Sequence, residues 1–359
     1  MIWDAIRGHS HTVDMFRRSV SRGRLPHALL FVGPAGVGKS LLARTLAQCL
    51  LCEQREDAEL DACGECSSCR QMRAGTHPDF LGIGCPEGKN QIPVELLVGS
   101  REHRGREGLC YELSLHPMAG DRKIAVIDDA QRMSEESANA LLKTLEEPPS
   151  YAVLILVATD ADDMLPTIRS RCQQVRFAPL PDADVAQLLL DGGLVADPAE
   201  ARTVASLSGG SLDTAQQLLD SELRSLRDQL YDFLAQREDK PLEIAGVLIE
   251  GIEQIGGDAQ QQRQAATWLL KFAVEFFRRG LQTLSSGESV PEDRVARFVA
   301  GFDPAIPEHH EQLMSLIERT VRSERQLAQY TPVPLCLEGL FDDLARMLRS
   351  PSAAAGGRR

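Results

Sequence analysis

At 359 residues, with 43% hydrophobic and 25% charged side chains, the chain falls outside the disordered class and has the makeup of a soluble protein of two or three domains. Its net charge of −13 excludes a surface that coats nucleic acid indiscriminately, because phosphate binding is driven by Lys and Arg displacing counterions. No apolar run reaches the ~18 residues of a spanning helix, and the N-terminus lacks a signal peptide's layout, so the expected compartment is the cytoplasm and a membrane is not an expected partner.

In chain order, the first basic patch is Arg17, Arg18, Arg22 and Arg24, and a second follows at Arg101, Arg104 and Arg106. Each is a candidate phosphate contact, with solvated surface charge as the plainer reading. HALLFVG at 27–33 is a short apolar run ending in glycine, and SLLARTLAQCLL at 40–51 has helical apolar spacing. Between them, Gly33-Pro34-Ala35-Gly36-Val37-Gly38-Lys39-Ser40 satisfies G-x-x-x-x-G-K-[ST] in the strand–loop–helix context the motif requires. Its glycines let successive backbone N–H groups wrap phosphates, and the helix N-terminus adds partial positive charge. Lys39 is placed to reach the β- and γ-phosphates of ATP, and Ser40 to ligate Mg2+.

Cys52, Cys63, Cys66 and Cys69 follow at C-x10-C-x2-C-x2-C spacing. Four thiolates suit a closed tetrahedral Zn2+ site, structural and not catalytic. Cys52 is the least constrained of the four, with Cys49 and His77 as alternatives; an iron–sulfur centre or free thiols are the other readings. Cys85, Cys110, Cys172 and Cys336 read as packing or loop residues.

RKIAVIDDA (122–130) is a second strand, apolar until its acidic end, as a parallel strand covered on both faces should be. Asp128 and Asp129 at its tip stand where a P-loop protein places its Mg2+-side acid and the carboxylate that polarises the attacking water. SEESANALLKTLEEPP (134–149) is a helix capped by Ser134, with Ala138, Leu141, Leu142 and Leu145 as one stripe and paired prolines as its stop. YAVLILVAT (151–159) and QQVRFAPL (173–180) are the third and fourth strands. Strands alternating with helices predict a parallel α/β sheet with ligands at the carboxyl ends of its strands. Beyond Pro179 short helices and glycine turns take over, and from 222 to 348 helices dominate. The expected domains are 1–178, 179–221 and 222–348, with a disordered tail over 349–359.

GRLPHALLFVGPAGVGKS, THPDF, IDDAQRMSEESANALLKTLEEPP and LPTIRSRCQ, in this order and spacing, closely resemble the bacterial DNA polymerase III clamp-loader subunits, the delta prime type most of all. The resemblance covers about residues 1–180; beyond that it rests on architecture. It implies an AAA+ P-loop domain with a small helical lid and an all-α collar, acting beside the other clamp-loader subunits to load the sliding clamp onto primed DNA with ATP. By the same resemblance Thr159 falls at the sensor of the γ-phosphate and Arg171, in the SRC triplet, at the arginine finger directed at a neighbouring subunit, where a guanidinium is worth ~10³–10⁵ in rate in other phosphoryl-transfer systems. Two departures point to slow hydrolysis: Asp129 where hydrolytic relatives carry Glu, and Asp213 where their lid helix supplies an arginine. The implied subunit belongs to the DNA-directed DNA polymerase holoenzyme without polymerase activity of its own, as a weak or in-trans ATPase. The alternatives are a gamma/tau-type motor or another autonomous AAA+ ATPase, and a structural wedge with a vestigial P-loop.

Overall fold

The computed structural model describes residues 2–349 apart from 87, 237–239, 256, 287–292 and 330; most of the tail expected to be disordered lies outside them. Two compact units divide the chain, Met1–Ala215 and Gln216–Arg359.

The first unit is built on five parallel strands, β1 (Ala28–Val32), β2 (Phe80–Ile83), β3 (Lys123–Ile127), β4 (Ala152–Ala158) and β5 (Gln173–Arg176), in the order β2-β3-β4-β1-β5. Every residue of β1, β3 and β4 is buried, which accounts for their unbroken apolar runs. The sequence reading supplied four of these strands and missed β2. That strand has four residues, one of them glycine, at the sheet's edge and only half buried, so it lacks the signature of its covered neighbours.

The helices of this part are α1 (Ser10–Ser21), α2 (Lys39–Leu50), α3 (Ser67–Ala74), α4 (Glu95–Val98), α5 (Leu109–Ser114), α6 (Glu135–Glu146), α7 (Pro166–Arg169), α8 (Asp182–Asp191) and α9 (Pro198–Leu207), followed by α10 (Leu212–Leu219) across the division. The side chain of Ser134 caps α6 by accepting from the Ser137 N–H. Ala138, Leu141 and Leu145 of α6 pack into a cluster with Leu30, Ala125, Ile127, Leu154 and Leu156 of the sheet. Each buried leucine or isoleucine of that cluster contributes roughly 1.5–3 kcal/mol.

The second unit is helical among its described residues: α11 (Ser221–Gln236), α12 (Pro241–Ile255), α13 (Ala259–Ser286), α14 (Asp293–Val299), α15 (Pro307–Ala328) and α16 (Val333–Arg349). Its centre is aromatic. Phe276 of α13 meets Tyr231 of α11 at 4.9 Å and Phe298 of α14 at 5.2 Å between ring centroids. No helix among the described residues is long and apolar enough to cross a membrane.

Candidate nucleotide cavity and thiolate cluster

Sheet register brings three strand ends together. Val32 of β1 pairs with Ala158 of β4, and Ile127 of β3 with Leu156 of β4, so the glycine loop, Thr159 and the Asp128–Asp129 pair leave the same edge. The loop is fixed from below: Phe177 donates its N–H to Val32 O at 2.7 Å, and a Cβ at Gly33 would stand 2.4 Å from Phe177 O. Gly38 caps α2 at φ +95 with open space where a Cβ would point, a conformation only glycine adopts freely.

A cavity of about 360 Å³ opens over this loop, lined among others by Val37, Lys39, Ser40, Asp129, Thr159 and Asp213. Lys39, only 7% exposed, donates to the carbonyls of Gly33 at 2.7 Å and Pro34 at 2.5 Å. Burial pushes its ammonium below the ordinary lysine range, while the carboxylates of Asp129, Asp213 and Asp128 pull the other way. Asp213 reaches the cavity because α10 docks on the loop: Leu212 donates its N–H to Gly36 O at 2.9 Å, and a Cβ at Gly36 would meet Ser211 Oγ at 2.4 Å.

Asp128 and Asp129 separate in role. Asp129, in the left-handed region at φ 52, turns into the cavity, whereas Asp128 is not among the residues lining it. The Arg44 guanidinium on α2 donates to Asp128 Oδ2 at 3.1 Å. Asp128 Oδ1 is buried without a hydrogen-bond partner, and an orphaned carboxylate oxygen beside Ser40's helix suits a hard cation. Arg171 stands apart from this cavity. Its guanidinium donates to Glu146 Oε1 at 2.5 Å and to Thr167 O at 3.0 Å, and the Arg171 and Glu146 side chains are 35% and 49% exposed. The arginine expected to face a neighbour is thus engaged at the surface by its own chain's carboxylate.

The sulfurs of Cys52, Cys63, Cys66 and Cys69 lie within 4.8 Å of one another, with Cys63 and Cys69 at 3.9 Å. Tetrahedral Zn–S bonds of about 2.3 Å place ligand sulfurs about 3.8 Å apart, so this donor set fits the ion. Amide groups compensate sulfur charge: Cys63 N–H points to Cys52 Sγ at 3.4 Å and Cys69 N–H to Cys66 Sγ at 3.3 Å. The N–H groups of Glu65 and Cys66, both aimed at Cys63 Sγ, hold that thiol down at about 6. Neither alternative ligand belongs to this group of four: Cys49 is buried on α2, and His77 Nδ1 accepts from Asp79 N–H at 3.1 Å.

Residues 8–181 match the family described as DNA polymerase III, delta subunit. DNA polymerase III subunit delta' of Pseudomonas aeruginosa is 39% identical over 212 residues, 59% of this chain and 61% of that protein. The N-terminal part of this chain is thus similar to the delta prime subunits. The tau subunit of Escherichia coli is 33% identical to the chain over 225 residues, 61% of this chain and 32% of that protein. Our chain therefore spans 61% of the delta prime relative's length. A crystal structure of a gamma subunit-related protein from Thermotoga maritima covers 94% of this chain and 99% of its own at 17% identity and a TM-score of 0.37, from which nothing further follows.

The structure brings Lys39, Ser40 and Asp129, read from the motifs, onto one cavity with Thr159 and Asp213, which the resemblance supplied; the sequence reading was incomplete. It missed Arg44 on Asp128 and Glu146 on Arg171. Those pairs join residues 84 and 25 positions apart, and no spacing rule connects them. His9 was missed as well: it is buried, and its Nε2 lies 2.7 Å from Val37 O in the glycine loop.

Proposed function

We propose that the chain is a delta prime-type subunit of a DNA polymerase III clamp loader that binds ATP with Mg2+ and hydrolyses it slowly. The single observation that carries this reading is the cavity in which the glycine loop, Lys39, Asp129 and Thr159 meet. Lys39 leaves the Gly33 and Pro34 carbonyls for the β- and γ-phosphates, with the loop's amide groups and the N-terminus of α2 holding the remaining charge. Ser40 and Asp128 would hold Mg2+, the latter through its unpartnered Oδ1. When bound, the ion neutralises phosphate charge. Asp129 orients the attacking water, and Thr159 contacts the γ-phosphate. Asp213 opposes that phosphate by like charge, and Asp129 is one methylene shorter than a glutamate, so both features favour holding nucleotide over cleaving it.

Arg171 exchanges Glu146 for the nucleotide of an adjoining subunit, supplying a guanidinium in trans. Residues 179–221 serve as the lid, 222–348 as the collar, and the four cysteines hold a structural zinc. The partners are the other loader subunits, the sliding clamp and, through the complex, primed DNA. Calorimetry with ATP and Mg2+ tests the site: saturable heat at one nucleotide per chain is expected, and none would refute the reading. Copurification with the other loader subunits tests the assembly. The tau relative keeps a motor ATPase in view, and single-turnover hydrolysis by the lone chain faster than in the complex would favour it.

A further inference from the structure

The thiolate cluster and the nucleotide cavity share one piece of chain, the segment before α1. At one end, Ile2–Ala5 forms a 3-10 turn fastened to the cysteine-bearing loop. The Trp3 indole N–H donates to Leu60 O at 2.5 Å, and the Ile2 N–H to Asp61 Oδ1 at 3.2 Å. Both Trp3 and Leu60 are buried. Leu60 holds the left-handed conformation at φ 43, which a leucine keeps only where its surroundings over-determine it. Cys63 follows two residues after Asp61.

At the other end, Ile6 donates its N–H to Trp3 O at 2.9 Å, and Ile6, Arg7 and His9 line the cavity. His9 meets Val37 O in the glycine loop, and Arg7 pairs with Asp191 of α8 at 3.0 Å. Gly8, at φ +76, lies so close to Leu180 that a Cβ would stand 2.6 Å from its Cδ2. The segment has no slack at either end.

We propose that residues 2–9 are a strap through which the four-thiolate cluster positions the wall of the nucleotide cavity, with Trp3 as the positioning residue at its anchor. The inference rests on the nucleotide reading above. Between Cys52 and Cys66 the only regular structure is the 3-10 turn Asp57–Glu59, so the shape of the Leu60–Asp61 anchor depends on the metal crosslink beside it. An anchor that shifts carries Trp3 with it, and the Ile6–His9 wall follows because the turn between them is hydrogen-bonded.

The full chain, zinc-loaded and after chelation, is titrated with a fluorescent ADP analogue in Mg2+. Zinc removal weakens binding roughly five- to tenfold, the low end of the usual two-site coupling. By thermodynamic reciprocity, saturating Mg–ADP tightens zinc against a competing chelator by the same factor, which a purely structural metal would not do. Trp3→Phe in the zinc-loaded chain retains the ring and removes the donor, and it brings both factors towards one. In a Trp268→Phe background Trp3 is the sole tryptophan of the two, and its emission moves to the red on zinc removal. Should the stripped chain unfold, Trp3→Phe and the chelator competition decide alone. Nucleotide binding that is present but indifferent to zinc and to Trp3→Phe overturns the strap and leaves the nucleotide site standing. Absence of binding to the zinc-loaded chain overturns both.

Discussion

The α/β unit and the helical unit differ in how their least exposed charges are satisfied. In the first, Asp79 is wholly buried, and its carboxylate accepts from the backbone N–H groups of Met118 and Ala119 at 2.7 Å and of Gly120 at 3.3 Å. Lys39 is likewise closed by two main-chain carbonyls. In the second, charges meet side chain to side chain: Arg294 of α14 reaches Asp232 and Asp228 of α11, and Arg319 of α15 reaches Asp343 of α16. The reason lies in where backbone groups are free. An α-helix consumes its own N–H and C=O groups except at the ends, and it is at such an end that Arg263 finds Leu327 O and Thr331 O. Loops after parallel strands leave theirs unclaimed, so groups able to hold phosphate collect at the sheet's carboxyl edge.

If main-chain donors and a metal crosslink organise the first unit, substitutions there should outweigh any at the helical pairs. The largest effect is expected from Cys69→Ser. Metal content falls from one zinc per chain to well below it, and unfolding followed by circular dichroism shows a loss of several kcal/mol, since structural zinc supplies folding free energy directly. Lys39→Met comes next. Calorimetry should show ATP affinity falling by about ten- to a hundredfold, the worth of charge-assisted hydrogen bonds to phosphate, with the melting curve almost unmoved.

Asp213→Asn has the opposite sign. Removing one like charge from the cavity tightens ATP by about fivefold, or ~1 kcal/mol at intermediate dielectric, and tightens ADP less. The smallest effect belongs to the second unit. The hydrogen bond from Arg294, aided by the Arg294 and Arg297 charges, holds the Asp232 carboxyl below its ordinary value. Its contribution is full above the unfolded carboxylate's value and is lost as pH falls through the lower folded value. Asp232→Asn should therefore cost under about 1 kcal/mol at neutral pH, as for an exposed pair, and flatten the acid limb of an unfolding-versus-pH series. A cost exceeding that of Cys69→Ser would reverse the ranking of the two units.

Legibility followed the same divide. The glycine loop, the cysteine spacing and the Ser134 cap are local in sequence, and each appears in the structure where its spacing placed it. Asp213 was legible only through the family resemblance. Strand β2 was not legible, because half-burial at an edge removes the apolar run that marks a parallel strand. The Trp3 and Leu60 contact was equally hidden, since an indole N–H donating to a carbonyl 57 residues away leaves no trace in spacing. In the helical unit, the sequence announced helices over 222–348, where α11 to α16 lie among the described residues; it did not say which faces meet.

The Arg171–Glu146 pair acts as a catch and not a lock. Each side chain keeps more than a third of its surface in water, so opening the pair costs little, on the order of 1 kcal/mol or less. A polyphosphate takes a guanidinium bidentately, as a carboxylate does, but it carries several negative charges where one glutamate carries one. Until such an anion arrives, the carboxylate mutes the guanidinium's field and keeps a solitary chain from offering a bare cation to passing polyanions. A surface contact so cheaply opened leaves the Arg171 guanidinium available to a stronger anion.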